Sequence, residues 1–376
     1  MSLAAELNSQ LRRARAAGRG LALASTEQKN RVLAGVKDNL SRLTDNIIDA
    51  NQSDVAQAHD AGLNAALIDR LTLNSARLAR IARGVEEVIS LPDPVGEEMT
   101  RWIRPNGLEI VQTRVPIGLV AIIYEARPNV TIDAGVLCLK AGNAVVLRGG
   151  KEALATNRVL AQSIAQALAS NGLNPDCVAF INNPDREAIQ ILKREPDLID
   201  LIIPRGGQSL KQALSGSEVP VLPHFDGICH TYVDRAADLK MAEEICFNAK
   251  CSRASVCNAM ETMLVHEEVA TEFLPAIARS MAEAGVELRG DDRVCAIIPQ
   301  AKRATKADWD TEYLDLILAI KVVDSLDAAI GFIAQHGSGL ADAIITSDPI
   351  AAARFEREVD SATVYVNAST RFTDGF

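Results

Sequence analysis

The pattern of apolar and polar positions divides the chain into two parts of different character. Over the first hundred residues, apolar side chains recur every three or four positions, which predicts amphipathic helices. One stripe comprises Val32, Val36, Leu40, Leu43 and Ile47. Ser25 precedes it as a predicted helix cap, with Gln28 three residues later. A second helical stretch is predicted over about residues 64–89, and Pro92 ends it.

The rest of the chain alternates between strands and helices. Residues 101–116 have the alternation and the Pro-Asn-Gly turn of a β-hairpin. Strands are then predicted at 117–124, 144–148, 177–181, 198–204, 229–234 and 260–265, and near Cys295 and Ile344. Helices are predicted at 131–141, 152–170, 184–194, 236–249 and 267–284, with a short one after Gly207. Because the strands are continuously apolar, a buried parallel sheet and the α/β class are predicted. Residues 300–320 have no clear pattern.

Composition narrows the function classes. Hydrophobic residues make up 48% of the 376 residues and charged residues 23%, which is typical of globular proteins. No apolar run reaches the roughly 18 residues of a membrane span, and the charged N-terminus does not resemble a secretory signal. The net charge of −10, without a basic stretch, disfavours nucleic acid as a partner. We therefore expect a cytoplasmic protein that binds neither membrane nor nucleic acid.

The cysteines and histidines favour neither disulfides nor a metal. The seven cysteines are odd in number and contain no CxxC pair, and the five histidines are scattered. We expect reduced cysteines that are mostly small core residues, one of which can serve as a nucleophile.

The first candidate nucleophile is Cys257, in a stretch of small residues before a predicted strand. Lys250 and Arg253 are near in sequence, and cations lower the pKa of a thiol. A thiolate that attacks an acyl group gives a thioester, which suits later hydride transfer. The alternative is a buried structural cysteine, and Cys251 is a rival that composition does not exclude. His230 can pair with Cys257 or belong to the core.

Asn129 follows the end of a predicted strand and precedes a helix. Ligands of open α/β sheets bind at the carboxyl ends of strands. The side-chain amide of Asn129 can donate to a developing oxyanion, or the residue can simply cap the helix.

Two turns share one arrangement, in which a strand is followed by a basic residue, a glycine pair and a helix. They are Arg148-Gly149-Gly150-Lys151 and Arg205-Gly206-Gly207. Backbone N–H groups at a helix start, with flanking cations, suit a phosphate. Arg148 and Lys151 favour NADP over NAD, because NADP carries an extra ribose phosphate. Each turn taken alone can also be an ordinary strand-to-helix turn. No GxGxxG fingerprint occurs in the chain.

Several strings together resemble one known family. They are IIYEARPNVT, LKAGNAVVLRGGKEA, NNPDRE, IPRGG, GICHTYVD, CNAMET, TEYLDLILAIKVVDSLDAAI and DSATVYVNASTRFTDG, spread over about residues 110–374. The chain is similar to the gamma-glutamyl phosphate reductases, which belong to the aldehyde dehydrogenase superfamily. The resemblance implies an aldehyde-dehydrogenase-like fold and a homo-oligomer.

The resemblance also implies a division of the chain. Residues 1–225 would form a Rossmann-type NADP-binding domain, with 101–116 as an oligomerisation hairpin. Residues 226–350 would form a smaller α/β catalytic domain that carries the nucleophilic cysteine. Residues 351–376 would be a return segment, after which the family's C-terminal tail is missing from this sequence.

The implied activity is the NADPH-dependent reduction of L-glutamyl 5-phosphate to L-glutamate 5-semialdehyde, with release of phosphate. This is the second step of proline biosynthesis from glutamate, and coupling to the glutamate kinase that makes the substrate is expected. By resemblance Cys257 is the nucleophile and Asn129 the oxyanion-binding residue, while Arg148 to Lys151 match the adenosine-phosphate region. The stretch 219–227 has no Glu to activate water, which protects the thioester from hydrolysis.

The chain departs from the family pattern at a few positions, and the effect of these departures on substrate and cofactor handling is left open by the sequence. The positions are Cys251, Ser252 and Ala254 near the nucleophile, and Leu340 and Ala341. The alternatives are a related acylating aldehyde dehydrogenase with another acyl substrate, a hydrolase that uses Cys257 and His230, and a non-catalytic binding subunit.

Overall fold

The structure, a computed structural model, describes residues 2–222 and 226–373. The chain divides into two compact units, Met1–His224 and Phe225–Phe376. The boundary predicted after residue 225 adjoins residues 223–225, which lie outside the described part. No helix within the described part is long and apolar enough to cross a bilayer.

Five helices open the first unit. They are α1 (Leu3–Ala22), α2 (Thr26–Arg42), α3 (Thr44–Asp60), α4 (Ala65–Leu71) and α5 (Ser75–Ser90). Ser25 caps α2 as predicted, because its side chain accepts from the N–H of Gln28. The predicted stripe is shared by two helices, since the chain leaves α2 at Leu43 before α3 begins.

The single helix predicted over 64–89 is wrong, because α4 and α5 are separate. The side chain of Asn51 holds the break: its Nδ2 donates to the carbonyl of Leu71 at 2.9 Å and its Oδ1 accepts from the N–H of Leu73 at 2.6 Å. Asn74 then caps α5. Side-chain amides satisfy the backbone groups at the break, which apolar periodicity does not report.

A hairpin follows the helices. Strands β1 (Glu98–Ile103) and β2 (Glu109–Thr113) pair antiparallel, with Trp102 opposite Ile110. The hairpin expected over 101–116 is therefore present and begins at Glu98. Its function in oligomerisation stays a prediction.

The core of the first unit is a parallel sheet with helices on both faces. The elements are β3 (Leu119–Tyr124), α6 (Asn129–Lys140), β4 (Ala144–Arg148), α7 (Leu154–Ser170), β5 (Val178–Phe180), α8 (Glu187–Leu192), β6 (Leu201–Arg205) and α9 (Gln208–Ala213). The strand order is β5-β4-β3-β6. Along β3, Val120 and Ile122 belong to the same apolar cluster as residues of α2 and α7, whereas Leu119 and Ala121 belong to a cluster with residues of α1. Burial on both faces explains the continuously apolar strands.

The second unit is built in the same way around a larger sheet. Its elements are β7 (Cys229–Val233), α10 (Leu239–Cys251), β8 (Met260–His266), α11 (Glu267–Glu283), β9 (Glu287–Gly290), α12 (Asp292–Ile297), β10 (Lys302–Arg303), β11 (Ile317–Val323), α13 (Leu326–His336), β12 (Ala341–Ile345), α14 (Pro349–Glu358) and β13 (Thr363–Val366). The strands are parallel, in the order β10-β9-β11-β8-β7-β12-β13. The predicted α/β class is confirmed.

One predicted strand is wrong. Cys295 lies in helix α12 and not in a strand. Asp291 begins that helix by accepting from the N–H of Val294 at 2.9 Å. A short apolar run does not by itself distinguish a strand from a buried helix, and here the Asp cap decides. The strand predicted near Ile344 is β12, and the unassigned 300–320 contains β10 and a 3-10 turn, Lys306–Asp310.

Candidate active site

Cys257 lies in the loop between α10 and β8, and its side chain is partly exposed. Gly227 packs directly on its main chain: a Cβ built on Gly227 would lie 1.7 Å from the carbonyl oxygen of Cys257. Cys229 donates its S–H to the same oxygen at 3.4 Å. Only glycine fits at 227, so the segment before β7 fixes the backbone of the candidate nucleophile.

The C-terminal segment holds the same loop from another side. Thr370 donates its hydroxyl to the carbonyl of Asn258 at 2.8 Å, and Asn258 Nδ2 donates to the carbonyl of Arg371 at 3.2 Å. The guanidinium of Arg371 in turn donates to Asn258 Oδ1 and to Ser252 Oγ. Sequence reasoning missed these residues, because contacts over more than a hundred positions leave no local signal.

Lys250, one of the two cations near Cys257 in sequence, is paired with a carboxylate. It is fully buried, and its Nζ donates to Glu261 Oε2 at 2.6 Å. Burial lowers the pKa of Lys250 and raises the pKa of Glu261, while their pairing opposes both shifts. The ammonium therefore neutralises a carboxylate of β8, and Arg253 remains the exposed cation of the loop.

Cys251, the rival nucleophile, is the last residue of α10. Its Sγ lies 3.6 Å from the sulfur of Met281. Burial raises the pKa of the Cys251 thiol, which disfavours the reactive thiolate. The environment of Cys251 thus disfavours it as a nucleophile.

His230, for which the sequence left a pair with Cys257 and a core position open, takes the core position. Its ring is buried, Nδ1 lies 3.0 Å from Asp342 Oδ1, and Nε2 has no hydrogen-bond partner within the described part of the chain. The ring packs edge-on against Phe332. His230 is a core histidine oriented by a carboxylate, as the simpler interpretation has it. His224, from the same motif, lies outside the described residues.

Asn129 is the first residue of α6, and residues 125–128 separate it from the carboxyl end of β3. It does not cap the helix, since Pro128 occupies that position and makes no side-chain cap bond. Its Nδ2 instead donates to Asp133 Oδ2, one turn later, at 2.8 Å. The cap interpretation is therefore wrong, and an amide beyond a strand end remains available for a ligand.

A buried chain of hydrogen bonds fixes helix α6. Thr131 donates its hydroxyl to Asn157 Oδ1 at 2.9 Å, so the O–H of Tyr124, 2.7 Å away, donates to Thr131. All three side chains are buried. They tie the end of β3 to α6 and α7, and they hold the helix that carries Asn129. Nothing in the local sequence pattern identifies this network.

The two glycine-paired turns lie at the same edge of the first sheet. They follow β4 and β6, the strands on either side of β3. Glu125, just after β3, accepts from the N–H of Gly207 at 3.1 Å. A cavity of about 670 Å³ lies at this edge. Its lining includes Tyr124, Glu125, Arg148, Gly150, Lys151, Glu152, Asp185, Arg186 and Ser209.

The predicted cofactor-binding residues of the two turns differ in how far they are exposed. Arg148 is only 7% exposed, and its Nη2 donates to the carbonyl of Pro184 at 2.9 Å, while its Nε has no hydrogen-bond partner among described residues. Lys151 is exposed at the cavity. In the second turn Arg205 and Gly207 are exposed.

The cavity has a size and a lining that suit part of a dinucleotide. Its volume lies in the range of small-molecule sites, about 300–1,000 Å³. Its charges are mixed, because Glu125, Glu152 and Asp185 accompany the cations, so hydroxyl and phosphate groups both find partners. In the described part, no three His, Cys, Asp or Glu side chains are grouped as a metal site.

Comparisons with known proteins agree with this architecture. The model of the aldehyde dehydrogenase family matches residues 2–315. A gamma-glutamyl phosphate reductase of Carboxydothermus hydrogenoformans is 52% identical over 97% of this chain and 88% of its own length. The crystal structure of gamma-glutamyl phosphate reductase from Thermotoga maritima matches with a TM-score of 0.96 and 43% identity, covering 98% of this chain and 90% of that one.

A more distant structure shares the fold alone. An acetylating aldehyde dehydrogenase of Geobacillus thermoglucosidasius gives a TM-score of 0.69 at 17% identity, covering 98% of this chain and 87% of that one. The chain belongs to the aldehyde dehydrogenase family, and within it to the branch of the gamma-glutamyl phosphate reductases. The resemblance drawn from the sequence motifs and the predicted aldehyde-dehydrogenase-like fold are confirmed.

Proposed function

We propose that this protein catalyses the NADPH-dependent reduction of L-glutamyl 5-phosphate to L-glutamate 5-semialdehyde and phosphate, through a thioester on Cys257. Relatives named for this reaction support it at about half sequence identity over nearly the whole chain. The structural observation that carries the proposal is the loop of Cys257. Its side chain is partly exposed, while Gly227, Cys229 and the 370–371 segment hold its backbone.

In the proposed mechanism, the Cys257 thiolate attacks the acyl carbon of the substrate. A C–S bond forms, the carbonyl oxygen becomes an oxyanion, and the amide of Asn129 donates to it. The oxyanion then collapses and the C–O bond to phosphate breaks, because phosphate is a good leaving group. Fixed donors need no reorganisation during the reaction, and the network that anchors α6 supplies that rigidity.

NADPH, when bound, supplies the hydride that reduces the thioester carbonyl. Reduction turns the thioester carbonyl oxygen into a second oxyanion, to which the amide of Asn129 again donates. The C–S bond then breaks to give the aldehyde and the Cys257 thiolate. The cavity at the strand ends would hold the cofactor's adenosine half, with Lys151 beside the ribose phosphate that distinguishes NADPH from NADH.

The test is a spectrophotometric assay of NADP+ reduction by glutamate 5-semialdehyde, with and without phosphate. We expect a strict requirement for phosphate, and Cys257→Ser to abolish turnover while Cys251→Ser retains most of it. Cys251→Ser is the matched control, because both thiols belong to the same short segment. The reverse result would move the nucleophile to Cys251, and a requirement for coenzyme A in place of phosphate would favour an acylating dehydrogenase of another substrate.

A further inference from the structure

The exposed stripe of helix α6 carries a second polar side chain that the mechanism above does not use. Asp133 lies one turn after Asn129, and Leu137, which is 50% exposed, lies one turn further. The residues between them are buried against the core, including Thr131, Ile132, Ala134 and Val136. Asn129 and Asp133 therefore belong to the same outward face of the helix.

Asp133 is a partly buried carboxylate with unused bonding capacity. Its Oδ2 accepts from Asn129 Nδ2 at 2.8 Å, and within the described residues neither oxygen is paired with a cation. Burial raises the pKa of Asp133, and the bond from Asn129 offsets only part of this effect. A carboxylate taken partly out of water without a counter-ion is costly, so a cationic ligand group would be favoured there.

We propose that Asp133 binds the α-ammonium group of the substrate and selects for an amino-acid aldehyde or acyl phosphate. This inference rests on the proposed function, in which Asn129 binds the acyl oxygen. Three carbons of the substrate separate its acyl carbon from its nitrogen: two methylene carbons and the α-carbon that bears the nitrogen. The binding atoms, Asn129 Nδ2 and Asp133 Oδ2, lie 2.8 Å apart. Each would hold its substrate group at a further hydrogen-bond length of about 2.8 Å, so the carbonyl oxygen and the ammonium can lie farther apart than the two side chains. The substrate would lie along the stripe, with its carbonyl at Asn129 and its ammonium at Asp133.

The arrangement links recognition to chemistry. An ionised and unpaired Asp133 beside Asn129 would repel the oxyanion that the amide must stabilise. The bound ammonium cancels this charge, so a substrate without the amino group would lose turnover as well as binding. Discrimination should therefore appear in kcat and not in KM alone.

The experiment compares L-glutamate 5-semialdehyde with 5-oxopentanoate, which lacks only the α-ammonium group. The assay is phosphate-dependent NADP+ reduction by the full chain. We expect the unchanged protein to prefer the amino aldehyde. Asp133→Asn should lower kcat/KM for the amino aldehyde by about 10- to 100-fold, the range of a hydrogen bond to a charged group. Its kcat/KM for 5-oxopentanoate should rise, because the variant removes the uncompensated negative charge beside the oxyanion.

The exposed Asp49→Asn is the matched control and should leave both substrates unaffected. Equal losses on both substrates for Asp133→Asn would overturn the proposal, because Asp133 would then only orient Asn129. Equal kcat/KM of the unchanged protein for the two aldehydes would also overturn the proposal. This comparison does not depend on the folding of any variant. If the unchanged protein used neither aldehyde, the proposed function itself would fail instead.

Discussion

The two glycine-paired turns have the same sequence pattern and different environments. In the first turn, a Cβ on Gly149 would lie 2.1 Å from Asn157 Nδ2 and 3.1 Å from the ring of Tyr124. In the second turn, a Cβ on Gly207 would meet nothing within 4 Å. Gly149 is therefore packed against side chains of α7 and β3. In the second pair Gly206 is also closely packed, since its Cβ would lie 2.7 Å from the carboxyl carbon of Glu125, and Gly207, whose N–H donates to Glu125, is the open position.

Gly149 and Gly207 show two different reasons for a glycine in such a turn. Gly149 provides space for the hydrogen-bonded chain that holds α6, so it acts on Asn129 through packing. Gly207 has a backbone conformation open to any residue, with φ −80° and ψ −170°, and leaves room beside the cavity edge. A shared motif therefore does not establish a shared function in phosphate binding.

The largest effect is expected at the packed turn. Gly149→Ala must displace the amide of Asn157 and break its bond with Thr131, which should destabilise the protein by about 3 kcal/mol. Urea unfolding of the purified variant measures this change. A loss below about 0.5 kcal/mol would mean that the Gly149 turn is as open as the Gly207 turn.

The next effect tests the network beneath that turn. Thr131→Val keeps the shape of the side chain but leaves Tyr124 and Asn157 without their partner, at a cost of about 2 kcal/mol. Because α6 also carries Asn129, kcat should fall at saturating substrate. Thermal unfolding and initial rates together measure both parts. A stable variant with normal kcat would show that α6 is fixed by apolar packing alone.

The cation of the first turn should have a smaller and more specific effect. Lys151→Ala should raise KM for NADPH about tenfold, as expected for one charge-assisted hydrogen bond to a phosphate. KM for NADH should change less than twofold. Arg205→Ala is the matched control from the second turn. Equal changes for the two cofactors would remove Lys151 from the ribose-phosphate site, and a larger effect at Arg205 would move that site to the second turn.

The smallest effect is expected at the open turn, with the opposite sign. Gly207→Ala should stabilise the protein by about 0.5 kcal/mol, because alanine reduces the freedom of the unfolded chain and fits the native backbone. KM for NADPH should rise only if the cofactor approaches this backbone closely. Urea unfolding and the same kinetic assay provide both readings. A clear destabilisation would contradict the contrast between the two turns.

Local signals in the sequence account for much of the fold. Periodicity and apolar runs predicted the parallel strands and most helices, because burial on both faces leaves a pattern in neighbouring residues. Two predicted elements were wrong for different reasons. The distant side chain of Asn51 divides the helix predicted over 64–89, whereas the helix around Cys295 begins at Asp291, a local cap that the apolar pattern alone does not report.

The sequence by itself identified the family and the candidate residues Cys257 and Asn129, because their types and order are properties of the chain alone. The tertiary structure decided their surroundings: that Lys250 neutralises Glu261, that Asn129 bonds to Asp133, and that Gly149 serves packing. The physical reason is that burial and ion pairing depend on groups brought together from distant positions, and these contacts set charge, pKa and space.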